Sequence, residues 1–198
     1  AVAVLLNTSS TPSELCYLLN NSDAKILITQ ASGEKRYREI KDQLLTCHSI
    51  YITDSEENQS VMNQKSKVNE SDSHATLINP DDPAMMIYTA GLTGKPLGAV
   101  LTHHNLCEEL NMIQPIFRRE PNDIGLCLIP LFHSFGVTVN MLNVIQAGCS
   151  TVMMDRLTMD SLLSTIEREK ITYIVAVPRL YVGMVLYEKT AKYDLSSL

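Results

Sequence analysis

Short apolar runs alternate with helix-forming segments along nearly the whole chain, and no other feature restricts the fold as much. AVAVLL (1–6), KILIT (25–29), HSIYIT (48–53), AMMIYT (84–89), AVLT (99–102), DIGLCLIP (123–130), STVMM (150–154) and TYIVAVP (172–178) read as strands. Between them GEKRYREIKDQL (33–44), HHNLCEELNMI (103–113), VTVNMLNVIQAG (137–148), DSLLSTIEREK (160–170) and RLYVGMVLYEKTA (179–191) read as helices. A further helix opens at Thr11, whose hydroxyl can cap it, with Pro12 in the first turn and Glu14 completing a capping box. Leu15, Leu18 and Leu19 share one face of it, and Gly148 marks a helix end. Strands that are apolar throughout, as TYIVAVP nearly is, are buried on both faces. The expected class is therefore α/β, with largely parallel sheets and helices on both faces.

Residues 54–82 break the rhythm, being rich in Ser, Asn, Asp and Glu and holding no aromatic residue. A structureless loop beyond ~12–15 residues is uncommon inside a compact domain, so this stretch reads as a mobile polar connection, with a domain boundary as the alternative. The 198 residues are enough for one substantial core. A net charge of −6, with 16 basic residues in no long cluster, argues against a nucleic-acid partner. The five cysteines (Cys16, Cys47, Cys107, Cys127, Cys149) are widely spaced, form no CxxC pair and read mostly as core thiols in a reducing compartment. No apolar run approaches the ~18 residues of a membrane span. AVAVLL lacks the basic flank and cleavage site of a signal peptide. The expected location is the cytoplasm, with peripheral membrane attachment as the alternative. An opening in mid-strand without an initiator methionine reads as a fragment of a longer protein.

The stretch YTAGLTGKPLG (88–98) suits neither a regular helix nor a regular strand. It fails the Walker pattern, because Thr89 stands where the first glycine belongs and Pro96 follows the lysine. No Gly-x-Gly-x-x-Gly occurs elsewhere. Its chemistry still suits an anion: Thr89 and Thr93 carry hydroxyls, Gly91 and Gly94 bare their amides, and Lys95 adds charge. On the residues alone, a phosphate nest and a structural turn remain equal readings.

YTAGLTGKPLGAVLTHHNL resembles the loop of the adenylate-forming (AMP-binding) superfamily, which runs Tyr-Thr-Ser-Gly-Thr-Thr-Gly-x-Pro-Lys-Gly-Val and continues into Leu-Thr-His-x-Asn. Tyr88, Thr89, Gly91, Thr93, Gly94, Pro96, Gly98, Leu101, Thr102, His103 and Asn105 match; Ala90, Leu92 and Leu97 depart, the last replacing a lysine. PLFHSFGVTVNMLNVIQAGCSTVMM (130–154), the opening residues 1–29 and the close, TYIVAVPRLYVGMV and YDLSSL, resemble further segments of the same family. The resemblance covers essentially the whole chain and is most like fatty-acyl and aryl CoA ligases.

It implies that residues 1–198 are part of the AMP-binding N-terminal domain, with the C-terminal domain and its catalytic lysine outside. It implies ATP-dependent activation of a carboxylic acid, fatty in the first reading, to an acyl-adenylate and then to acyl-CoA. The implied partners are the small-molecule acid, ATP with Mg²⁺, and CoA as co-substrate. Thr89, Gly91, Thr93, Gly94 and Lys95 would hold ATP phosphate; His133, Gly136, Val177 and Pro178 would border the substrate. It implies neither a catalytic residue nor a metal ligand within these residues, so the fragment alone is expected to be inactive. Two alternatives stand beside it: a degenerate homologue that binds nucleotide or acyl group without turnover, and an adenylation enzyme with another acceptor. His133 read alone would be a hydrogen-bonded loop histidine. His103 reads as structural. Tyr173, Tyr181, Met184 and Tyr187 read as core fillers, with an acyl tunnel as the alternative.

Overall fold

The computed structural model describes residues 1–55, 77–91, 94–154 and 157–198. These fall into two compact units, 1–103 and 104–198. Most of the polar connection expected at 54–82, residues 56–76, lies outside the described residues, as do Leu92 and Thr93 of the glycine loop.

In the first unit, helix α1 (Pro12–Asn21) is fixed by its own first turn. The Glu14 N–H donates to Thr11 Oγ1 at 3.3 Å, and the Thr11 N–H donates to Glu14 Oε2 at 2.8 Å. That is the expected capping box, whose loss typically costs ~1 kcal/mol. Leu15 and Leu19 enter a core with Tyr37, Ile40, Leu44 and Cys47. Helix α2 (Ala31–Ile40) starts earlier than its sequence suggests, because Asp54 Oδ1 accepts the Ala31 N–H at 2.6 Å. It gives way to a 3₁₀ turn, Lys41–Gln43. Asn20 braces that turn, donating to the Gln43 carbonyl at 3.0 Å and accepting the Leu45 N–H at 2.8 Å.

The strands of this unit are β1 (Ala3–Leu5), β2 (Ile26–Thr29), β3 (Ser49–Ile52), β4 (Pro83–Thr89) and β5 (Leu97–Thr102). β2 pairs in parallel with β3, and β1 in parallel with β4. β4 pairs antiparallel with β5, Thr89 opposite Leu97. The seven residues between them are too few for a parallel crossover, so the glycine loop is the tip of a hairpin.

Helix α3 (His103–Phe117) leads into the second unit and runs past the expected end at 113, with Pro115 inside its last turn. Strands β6 (Ile124–Cys127), β7 (Ser150–Met153) and β8 (Tyr173–Ile174) form a sheet in the order β7-β6-β8, with both pairings parallel. Gly125, Leu126 and Cys127 are all buried, so the central strand β6 is covered on both faces. Leu126 packs with Leu162, Leu163 and Ile166 of helix α6 (Met159–Glu169) and with Leu180 and Met184 of helix α7 (Pro178–Leu186). The segment expected at 137–148 is helical from Ser134 onward: α4 (Ser134–Val137), a π-helical turn (Thr138–Leu142) and α5 (Asn143–Ala147). Gly148 ends it in the left-handed region, φ 70. Apart from the β4–β5 hairpin, every strand pairing described is parallel, as expected for this class.

Two apolar runs are strands over less of their length than expected. TYIVAVP pairs only at Tyr173–Ile174, because beyond this Tyr181 Oη serves the backbone, donating to the Ile174 carbonyl at 2.8 Å and accepting the Ala176 N–H at 3.2 Å. DIGLCLIP pairs only over 124–127, then turns at Pro130, whose carbonyl accepts the His133 N–H at 3.0 Å. Helix α7 stops at Leu186 rather than near 191.

The chain's last residues are tied to the start of α6 through one carboxylate. Tyr187 Oη donates to Asp160 Oδ2 at 2.7 Å and Tyr193 Oη to Oδ1 at 2.8 Å, with Lys189 Nζ 3.6 Å away. Those hydroxyls, Tyr187 first, hold the Asp160 carboxyl below its ordinary range. A depressed folded-state pKa contributes stability that is full above the unfolded value and lost as pH falls through the folded one. The Tm difference between wild type and Asp160→Ala is therefore expected to be constant above about pH 5 and to shrink on acidification below ~4. Thermal melts across that range check it; a gap that widens in acid would contradict the role given to this carboxylate.

Candidate phosphate loop and substrate-side turn

Two tyrosines that sequence reasoning left without a role fix the hairpin tip against α1. Tyr17 Oη donates to the Pro96 carbonyl at 3.0 Å. Tyr88 Oη donates to Asn21 Oδ1 at 2.8 Å and lies 3.3 Å from the Leu18 carbonyl. Burial pushes the Tyr88 hydroxyl up, so it stays a donor. Within the tip the chain closes on itself: the Gly94 N–H donates to the Gly91 carbonyl at 3.1 Å, and Gly94 holds φ 85. A Cβ on Gly91 would stand 1.9 Å from the Lys95 carbonyl oxygen, so only glycine permits this approach.

The structure thus gathers four of the five expected phosphate residues, Thr89, Gly91, Gly94 and Lys95, on one hairpin tip; Thr93 lies outside the described residues. One expectation needs correction. The Gly94 amide is spent inside the turn rather than bared to a ligand. Thr89, Gly94 and Lys95 are exposed, and Thr89 Oγ1 lies 3.4 Å from the Leu97 carbonyl, a weak bond that phosphate could displace.

In the second unit His133 is the N-cap residue of α4 and is exposed. Its ring lies 4.4 Å from the ring of Phe132, and no described residue hydrogen-bonds its imidazole. Among the described residues, therefore, His133 makes none of the ring hydrogen bonds that a loop histidine held in place would make. Gly136 is buried where α4 crosses the preceding turn, and a Cβ there would meet the Pro130 carbonyl oxygen at 2.2 Å. Val177 and Pro178 stand as N-cap and first residue of α7, both exposed. His133 and Gly136 therefore share one turn, and Val177 and Pro178 another. Met184 is core, as expected; Tyr187 and Tyr173 are partly buried, and Tyr181 is exposed with its hydroxyl on the backbone.

The second unit also holds a buried cation that the sequence did not reveal. Arg119 is 5% exposed, with its guanidinium carbon 4.7 Å from the Phe117 ring and 4.5 Å from the Tyr173 ring. Its Nη1 donates to the Val139 carbonyl at 2.5 Å and to Asn143 Oδ1 at 2.6 Å, which pins the π-helical turn. No carboxylate among the described residues pairs with it, and burial pulls its pKa down. Burial also raises the Cys47, Cys127 and Cys149 thiols, disfavouring the reactive thiolate. Cys107 alone is exposed. Among the described residues no three His, Cys, Asp or Glu side chains gather into a metal-binding group.

The sequence profile of the family described as AMP-binding enzyme matches residues 1–198. The chain belongs to that family. Among AMP-binding enzymes it is 27% identical over 206 residues to 4-coumarate–CoA ligase 3 of Arabidopsis thaliana, covering 100% of this chain and 36% of that one. It is 30% identical over 207 residues to 4-coumarate–CoA ligase 2 of Nicotiana tabacum, covering 100% and 37%. The chain thus spans little more than a third of these relatives. Its fold matches the N-terminal domain of FACL13 from Mycobacterium tuberculosis, with TM-score 0.87 and 23% identity over 100% of this chain and 49% of that one. It also matches an anthranilate CoA ligase solved with anthranoyl-AMP, with TM-score 0.82 and 24% identity over 100% and 38%. These likenesses establish the α/β fold of the AMP-binding N-terminal domain. No helix among the described residues is long and apolar enough to cross a membrane.

Proposed function

We propose that the whole protein activates a carboxylic acid with ATP, forming an acyl-adenylate and pyrophosphate, and then passes the acyl group to the thiol of CoA. The observation that carries this reading is the family match over all 198 residues, which includes the hairpin loop built for a close approach at Gly91. In the first step a carboxylate oxygen bonds to the α-phosphorus of ATP and the bond to the β-phosphate oxygen breaks. In the second, the CoA sulfur takes the acyl carbon and AMP leaves. The hairpin tip would hold the β- and γ-phosphates with the Thr89 hydroxyl and the Lys95 ammonium, both exposed on it. Charge stabilisation of this kind, with positioning, supplies most of the rate in such chemistry. Mg²⁺ would reach the loop on the phosphates, where it neutralises charge, because it commonly binds through substrate phosphates and few carboxylates.

The acid is apolar, fatty or aromatic. The fatty reading comes from the sequence resemblance; the aromatic one is favoured by the curated relatives, which are 4-coumarate–CoA ligases. ATP–pyrophosphate exchange by the whole protein, with long-chain fatty acids and with hydroxycinnamic and aminobenzoic acids in parallel, decides both points. Acid-dependent exchange followed by acyl-CoA formation is expected with one class; no exchange with any acid would refute the proposal.

His133 supplies a second check. Its ring is exposed and unbonded to described residues, so His133→Ala removes little packing. The expected result is about a tenfold or greater loss of kcat/KM for the acid, with Tm almost unchanged. A large fall in Tm with normal activity of the folded fraction would make His133 structural instead.

A further inference from the structure

Lys95 is the one cation among the described residues of the hairpin tip, and it does not stand free. Its ammonium lies 6.0 Å from the centre of the Tyr17 ring, on α1, 78 positions earlier in the chain. The same tyrosine donates its hydroxyl to the carbonyl of Pro96, the next residue, at 3.0 Å. One side chain thus bonds the backbone of Pro96 and lies beside the lysine at the outer limit of a cation–π contact. An exposed lysine on a turn otherwise holds rotamer freedom that a ligand must remove, and a cation–π contact offsets part of that cost. Two residues on, where the family's loop carries lysine, stands Leu97, 60% exposed and uncharged, as the first residue of β5.

We infer that Tyr17 is a positioning residue that stations Lys95 as the polyphosphate-binding cation of this loop, in place of a lysine at position 97. The inference rests on the acid-activation reading above. Tyr17 acts through Lys95 and Pro96 and touches no substrate. Its ring limits where the ammonium can go, and its hydroxyl fixes the backbone from which the lysine extends. The ligand recognised is the β,γ-polyphosphate of ATP, and pyrophosphate in the reverse direction.

The test is ATP KM in the exchange assay of the whole protein, because a displaced charge changes nucleotide binding more than turnover. Lys95→Met is expected to raise ATP KM about tenfold. Adding Leu97→Lys to Lys95→Met restores a cation at the other position and is expected to recover most of that loss. Tyr17→Leu should raise ATP KM by about twofold to fivefold in the wild-type background but leave it nearly unchanged in Lys95→Met/Leu97→Lys, where no lysine remains at 95 for it to station. Tyr17→Phe keeps the ring and should lose less than Tyr17→Leu. If Tyr17→Leu costs the same in both backgrounds, Tyr17 merely supports the fold of the loop and the inference is overturned. An unchanged ATP KM in Lys95→Met overturns it too, leaving the acid-activation reading intact. A wild-type protein without exchange removes both.

Discussion

Gly136→Ala is expected to lower the melting temperature by roughly 6–12 °C, about 3 kcal/mol for a chain of this size. The added Cβ would lie 2.2 Å from the Pro130 carbonyl oxygen and 2.8 Å from the Ile129 carbonyl oxygen. Both obstacles are backbone atoms, and the turn that carries them is closed by the Pro130–His133 hydrogen bond. Neither can swing aside as a side-chain end would. The sign is informative, because in a helix alanine is otherwise preferred over glycine by ~1 kcal/mol. Gly183, inside α7, is the control: its Cβ would meet the terminal methyl of Met159 at 3.1 Å, a flexible group that can yield. Gly183→Ala should leave Tm unchanged or raise it slightly. Thermal melts of the two variants against wild type settle the matter; a Gly136→Ala protein as stable as wild type would mean that α4 does not press on the Ile129–Pro130 turn. The same substitution should also depress acid activation, because it displaces the turn that carries His133.

What the sequence revealed of this fold depended on how far apart the interacting groups lie along the chain. The α1 capping box uses Thr11 and Glu14, three residues apart, and its chemistry is complete in the local sequence. Gly148 as a helix end is equally local. The start of α2 was misplaced because its cap is Asp54, 23 residues away. The strand expected over 172–178 was too long because an apolar run reports burial, not pairing. Tyr181, seven residues after Ile174, takes over the backbone bonds that a neighbouring strand would have made. The hairpin at β4–β5 was foreseeable from loop length, since seven residues cannot carry a crossover.

The candidate site divides along the same line. Its loop was legible as a pattern of glycines, threonines and a lysine, and the close approach at Gly91 accounts for one of those glycines. Its supports were not. Tyr17 and Pro96 are 79 residues apart, and Tyr88 and Asn21 are 67 apart. Nothing in FRREPND indicates which arginine turns inward. Arg118 is exposed while Arg119 is buried between two aromatic rings, the second of which, Tyr173, is far along the chain. Arg119 Nη1 serves two acceptors, each charge-assisted bond giving ~1.5–3 kcal/mol, and two ring faces lie against the guanidinium, while its Nε and Nη2 are buried without a hydrogen-bond partner among the described residues.

Gly91→Ala should abolish nucleotide chemistry while leaving the rest of the protein folded. A Cβ at this position would overlap the Lys95 carbonyl oxygen at 1.9 Å and approach its carbon at 3.1 Å. The hairpin tip cannot keep both the methyl and the Gly91–Gly94 hydrogen bond, so Lys95 and Pro96 must move, and with them the bond from Tyr17. Misplacement by ~1 Å of groups that position a substrate costs about 100-fold in rate, and the lost cation contact adds to it. ATP–pyrophosphate exchange is therefore expected to fall at least 100-fold or so. Tm should change little, because the tip belongs to neither buried cluster. Gly94→Ala separates geometry from space. No atom lies within 4 Å of its Cβ, but its φ of 85 is unfavourable for alanine. That strain is ~1–2 kcal/mol, or about tenfold in activity if the loop must hold this shape to bind phosphate. The expected order is thus Gly91→Ala far below Gly94→Ala, and Gly94→Ala below wild type. Equal losses would point to general loosening of the hairpin. A Gly91→Ala protein with near-normal exchange would show that ATP does not depend on the tip in this conformation, and the phosphate-loop reading would fall with it.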